Sequence, residues 1–84
     1  MHDLHLANKI QKLIIEEAQK NKLRLVKRAI IELGVISEHG SDITKENLEF
    51  NLNLLLKGTL AENAELKINK IKGNAWKLIS ISGE

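Results

Sequence analysis

Apolar residues return at Leu6, Ala7, Ile10, Leu13, Ile14 and Ala18, a spacing of three and four that gathers them on one helical stripe. The pattern predicts a helix from about residue 4 to residue 20, stopped by Asn21-Lys22. Asp3, just before it, is a favoured N-cap type and would set a carboxylate at the positive helix end. From Leu23 to Ile36 the chain is rich in branched residues, with Ala29, Ile31 and Leu33 alternating with Arg28, Ile30 and Glu32, so a strand follows. Gly34 marks a bulge in that strand or its end. A polar loop, Ser37-Glu38-His39-Gly40-Ser41-Asp42, leads to a second helix opened by Thr44. Asn47 stands where a capping box would have Glu or Gln. Leu48, Leu52, Leu55 and Leu56 form its inner stripe, and Gly58 is a natural stop. Leu66 to Lys72 reads as a strand, Gly73-Asn74 as a two-residue hairpin turn, and Trp76 to Ser82 as the last strand. Alternation is imperfect across this final pair, so the pattern does not define its register. The order α-β-α-β-β predicts an α+β fold, two helices packed on one face of a small three-stranded sheet, as a single domain over 1–84.

Composition narrows the chemistry. With 84 residues the chain is one small domain. It has no cysteine, so neither a disulfide nor a thiolate zinc site can staple it. One Trp, one Phe and no proline leave an aliphatic core of Leu and Ile. No apolar run approaches the roughly 18–20 residues of a membrane span, and the start lacks a signal-peptide core, so a cytoplasmic chain is expected. The formal charge is +2. Basic residues cluster at Lys20, Lys22, Arg24, Lys27 and Arg28, and again at Lys67, Lys70, Lys72 and Lys77. Such strand edges can meet phosphate or can discourage edge-to-edge pairing. The excess is too small, and aromatics too scarce, for a stacking surface, so neither nucleic acid nor membrane is expected as a partner. There is no Ser-His-Asp arrangement and no Gly-rich phosphate loop. The chain is not expected to be an enzyme.

Its candidate chemistry lies at the start, Met1-His2-Asp3. A free α-amine, the next backbone amide and an imidazole can close around one ion, and planar nitrogen coordination of this kind suits Ni(II) or Cu(II) better than Zn(II). A bulky second residue tends to block removal of the initiator Met, so Met1 is expected to keep its amine. The amine and the imidazole, with reference pKa values of about 7.7–8.0 and 6.5, must shed protons to bind. Affinity should therefore fall as pH drops from about 7.5 toward 6. His5, three residues after His2, shares its helix side and is either a further ligand or a solvated first-turn histidine. His39, with Glu38 and Asp42 nearby, is a weaker candidate, because Asp and Ser there also make good turns. Glu16, Glu17, Glu46 and Glu49 read as exposed helix faces.

These residues carry a resemblance. Met1-His2-Asp3-Leu4 before an amphipathic helix, Val26-Lys27-Arg28 leading into Ile31-Glu32-Leu33-Gly34, and the block Lys57-Gly58-Thr59-Leu60-Ala61-Glu62-Asn63-Ala64-Glu65-Leu66 resemble the HypA/HybF nickel-insertion family. The closing Lys77-Leu78-Ile79-Ser80-Ile81-Ser82-Gly83-Glu84 is similar to that family's last strand. The resemblance implies a metallochaperone that passes Ni(II) into hydrogenase, in some organisms urease. It would act alongside a maturation GTPase and a nickel-enzyme precursor, with Met1, His2 and Asp3 holding the ion. An acidic residue of the loop before the second helix, here best matched by Asp42, approaches the site in some relatives. Two departures stand out. Asp3 replaces the family's usual Glu, one methylene shorter. The family's zinc domain, with its two Cys-x-x-Cys pairs between the last two strands, is absent, and Gly73-Asn74 stands in its place, so no zinc is expected. A competing reading is a metal-independent adaptor or dimerisation domain that kept the scaffold.

Overall fold

The computed structural model describes residues 2–34, 37–38, 41–42 and 44–84, leaving aside the side chains of residues 2–4, 37–38 and 41–42. In chain order the elements are α1 (His2–Lys20), β1 (Val26–Leu33), β2 (Ser37–Glu38), β3 (Ser41–Asp42), α2 (Lys45–Leu56), β4 (Glu65–Lys70) and β5 (Trp76–Gly83). β2 and β3 form a ladder of two residue pairs, Ser37 with Asp42 and Glu38 with Ser41, where a plain polar loop was expected. Short polar stretches can pair locally without any hydrophobic alternation to announce them.

Burial follows the helical stripe closely. Leu6, Ala7, Ile10, Ile14 and Ala18 of α1 meet Leu48, Leu52 and Leu56 of α2, and both sets close over Val26, Ala29, Ile31 and Leu33 of β1. Both helices lie on one sheet face, α1 over β5 and α2 over β4. Thr44 has extended backbone, and its hydroxyl accepts the Asn47 amide at 3.1 Å, so it caps α2 as its side-chain chemistry demands. Gly58 follows α2 with φ +77, a left-handed stop that costs glycine no Cβ clash. α1 ends differently. Lys22 takes φ +59, and the Leu23 amide reaches back to the Ala18 carbonyl at 2.9 Å, a Schellman-type closure with lysine in the usual glycine position.

The three-stranded sheet has the order β4-β1-β5. β1 runs parallel to β4, with Ile31 opposite Ile68, and antiparallel to β5, with Ile31 opposite Leu78. The expected hairpin at Gly73-Asn74 is therefore corrected: β4 and β5 are consecutive in the chain but are not neighbours. The physical reason lies in β1. Its helix-facing residues are completely buried, whereas those of β4 and β5 are mostly half-buried, so β1 is the strand that belongs in the middle. A parallel β1–β4 pair needs a long crossover, which α2 supplies, and the remaining edge of β1 then falls to β5.

Residues 71–75 consequently cross over the end of β1. The Ile71 amide donates to the Leu33 carbonyl at 2.9 Å, and the Gly34 amide donates to the Ala75 carbonyl at 2.8 Å. Gly34 is thus the end of β1 and not a bulge. A Cβ there would lie 2.6 Å from the Ala75 oxygen and 2.7 Å from the Gly73 oxygen. The other sheet end is locked as tightly. The Arg24 and Leu25 amides both donate to the Glu84 carbonyl, at 2.6 and 3.1 Å, and the Glu84 amide donates back to the Leu25 carbonyl at 3.0 Å. A Cβ on Gly83 would sit 1.8 Å from the Leu25 oxygen. The ragged alternation of the last strand also has a cause. Register passes from Ile30 opposite Ser80 to Ile31 opposite Leu78, leaving Ile79 as an extra bulge residue.

Gly34→Ala and Gly83→Ala are expected to lower the unfolding free energy by at least about 1–3 kcal/mol each, as overpacking does. Lys22→Gly should raise it by up to about 1 kcal/mol by relieving the left-handed backbone. Urea denaturation followed by circular dichroism reads all three. An unchanged midpoint in Gly83→Ala would contradict the close approach at Leu25.

Candidate metal centre

The start of α1 is the place to test for ion chemistry. The helix begins at His2, two residues before the expected boundary, so Asp3 lies within the first turn and is not its N-cap. Asp is favoured both as a cap and in the first turn, and its presence alone cannot distinguish the two. The first four N–H groups of a helix have no intrahelical acceptor. A metal can therefore displace the amide proton of His2 without breaking a helix hydrogen bond. A dication at the positive helix end is opposed by the macrodipole. Loss of that amide proton and the negative charge of Asp3 in the same turn both offset the opposition.

His5 follows one turn on and is exposed. It belongs to a solvent stripe with Asn8, Lys9, Lys12 and Glu16, opposite the buried Leu6, Ala7 and Ile10. Packing makes no demand on it. α1 has 19 residues, a length of about 28 Å, and returns through a short link into β1. Its last turn is closed by the Leu23 amide on the Ala18 carbonyl, and residues 21–25 link it to β1. The β2–β3 ladder follows the end of β1 within a few residues and carries Asp42 in β3. Met1 and His39 lie outside the described residues. Among the described residues no group of three or more His, Asp or Glu is gathered to hold an ion.

Other features of the surface are poorer candidates. An open cavity of about 370 Å³ lies between Leu13, Glu17 and Asn21 of α1 and the run Leu78 to Ile81 of β5. Its lining offers one carboxylate and no imidazole, and it is formed by the half of α1 distant from His2. The basic clusters are partly neutralised: Lys27 pairs with Glu84 at 3.2 Å and Arg28 with Glu65 at 2.8 Å. Both pairs are exposed and contribute little to stability. Among the described residues no helix is long and apolar enough to cross a membrane. Reading the chain for chemistry overlooked the outer face of α2, where Phe50 and Leu54 are 64% and 47% exposed four residues apart. The absence of any charged residue between Glu49 and Lys57 was the available signal.

The class these features define is a small α+β domain whose first helix begins at His2 and lies with a second helix on one face of a three-stranded sheet. A family model described as "Hydrogenase/urease nickel incorporation, metallochaperone, hypA" matches residues 1–76. The chain is 37% identical over 75 residues to the hydrogenase maturation factor HypA of Legionella pneumophila (strain Corby), an alignment covering 89% of this chain and 63% of that one. It is 33% identical over 86 residues to the HypA of Pyrococcus furiosus, covering 93% and 59% respectively. The solution structure of the Ni metallochaperone HypA from Helicobacter pylori has a similar fold, with a TM-score of 0.77, 16% identity and 94% of each chain covered.

The chain belongs to the HypA family. It spans about three-fifths of the length of the curated relatives it matches.

Proposed function

We propose that this domain carries Ni(II) during hydrogenase or urease maturation. It binds the ion through the Met1 amine, the His2 amide and imidazole, and the charge of Asp3, and hands it on in the cytoplasm to a nickel-enzyme precursor alongside a maturation GTPase. The observation that carries the reading is the coincidence of the family match from residue 1 with a helix that begins at His2 and leaves that amide free of any intrahelical acceptor. The donor set is also right for the ion. Nitrogen ligands in a plane suit Ni(II), and a chain without cysteine offers no thiolate site for zinc.

The chemistry that takes the ion up also lets it go. Amine and imidazole bind only when deprotonated, so each competing proton weakens the hold. The donors come from adjacent residues at one chain end and are not wrapped by a cage. A recipient can replace them one at a time without unfolding the domain. Asp42, in the short ladder that follows β1, is the available carboxylate of a wider coordination sphere, and His39 is the weaker imidazole candidate.

Calorimetry with Ni(II) on the chain and on a version bearing one glycine before Met1 tests the reading. The extended chain should bind at least tenfold more weakly with its circular dichroism unchanged, since its amine is displaced from the chelate. His2→Ala should lose the site, whereas His39→Ala should change affinity less than about twofold. Equal affinities for the native and extended chains would reject the chain-start site and favour a metal-independent adaptor.

A further inference from the structure

We propose that the outer face of α2 docks a second copy of this chain, the two α2 helices packing antiparallel about a two-fold axis. The inference is independent of the ion chemistry above. It begins with what the core leaves uncovered. Leu48, Leu52 and Leu56 turn inward from α2 and are buried. The side opposite them carries Glu46, Phe50, Asn53, Leu54 and Lys57, all exposed. Apolar residues scattered singly over a surface are ordinary. Phe50 and Leu54 are not scattered: they stand one turn apart on one stripe, 64% and 47% exposed. An aromatic ring and a leucine held in water gain free energy on meeting another apolar surface.

The charges at the two ends of the stripe select the occupant. Glu46 lies in the first turn of α2, and Lys57 caps its last turn about 16 Å further along. Among the described residues neither belongs to an ion pair. A second α2 laid antiparallel on the first sets each Lys57 against the Glu46 of the other copy. The midpoint of Glu46 and Lys57 falls between Asn51 and Leu52, and that of Phe50 and Leu54 falls at Leu52. The two centres lie only about 0.8 Å apart along the helix, so one axis serves the charges and the apolar pair together. Parallel packing would set like charges side by side. A partner of other sequence must supply the opposite charges in reverse order, which this chain already does. Because one patch serves both copies, the contact is isologous and closes at two chains. A single helix face buries less than the roughly 1,200 Å² of total surface found in stable complexes, so the dimer is weak, with a dissociation constant on the order of 0.1 mM.

Sedimentation equilibrium of the chain from about 10 µM to 1 mM tests this, at low salt, which preserves exposed charge pairs. A chelator in the buffer excludes an ion shared between chains. The average mass should rise toward twice that of one chain. Phe50→Glu should keep the wild-type urea midpoint at the lowest concentration, since no core contact is lost, and should stay monomeric throughout. Glu46→Lys and Lys57→Glu should each weaken association at least about threefold, because two ion pairs become two repulsions. The chain carrying both exchanges should regain wild-type association, since opposite charges face each other again. General stickiness of an apolar patch would not show that recovery. A wild type that is monomeric at the highest concentration would overturn the proposal and leave the face to a partner of different sequence. A dimer that survives Phe50→Glu would place the contact elsewhere. A dimer lost in Phe50→Glu but not restored by the double exchange would refute the antiparallel pairing.

Discussion

Everything in this domain is built around the demand of β1 to be covered on one face and paired along both edges. Val26, Ala29, Ile31 and Leu33 are fully buried, a density of concealed side chains that neither β4 nor β5 approaches. Burying a strand so completely requires that its backbone groups on both sides find partners, because unpaired amides and carbonyls are expensive away from water. β4 satisfies one side in parallel and β5 the other in antiparallel. The two helices then have only one apolar surface to occupy. Their stripes meet above β1, and the positions of α1's first turn and α2's cap follow from that packing.

Much of this was readable in the chain because most of its signals agree with one another. Helical spacing at Leu6, Ile10 and Ile14, the cap at Thr44 and the stop at Gly58 are local rules, and each held in place. What escaped was non-local. Gly73-Asn74 has the composition of a hairpin turn, but partner choice belongs to β1, some forty residues earlier in the chain. The bulge at Ile79 spoiled the period of two in the last strand, and only the register with Ile30 and Ile31 makes sense of it. Gly83, one residue past the expected end of the last strand, is pressed against the backbone at Leu25. The block from Lys57 to Leu66, prominent in the family resemblance, turns out to be a packing device. Ala61 is buried, the Ala61 amide donates to the Thr59 hydroxyl at 3.1 Å, and the Val26 amide donates to the Leu60 carbonyl at 2.9 Å.

The candidate metal centre was read from a different kind of signal. Its donors are adjacent in sequence, so no fold was needed to bring Met1 and His2 together. The fold adds context: a helix already running at His2, Asp3 in its first turn in place of the expected cap, and His5 on the exposed stripe one turn later. These follow from where the helix starts, and a boundary of that kind is the least certain part of any pattern reading. Asp42 shows the converse. Its residue type suggested a turn, and it stands in a short ladder that periodicity could not reveal.

The strap from Ile71 to Ala75 has a further meaning for how such a domain can grow. It must bridge two inter-strand gaps, roughly 10 Å, and it does so with one amide donated and one carbonyl offered to the tip of β1. Those anchors sit at the strap's two feet, so the stretch between them is a natural graft point. Extra chain spliced in there leaves the sheet pairing untouched and rises from the end of the sheet where β1 exits. Any module hung on that splice stands clear of the side chains packed between the helices and the sheet.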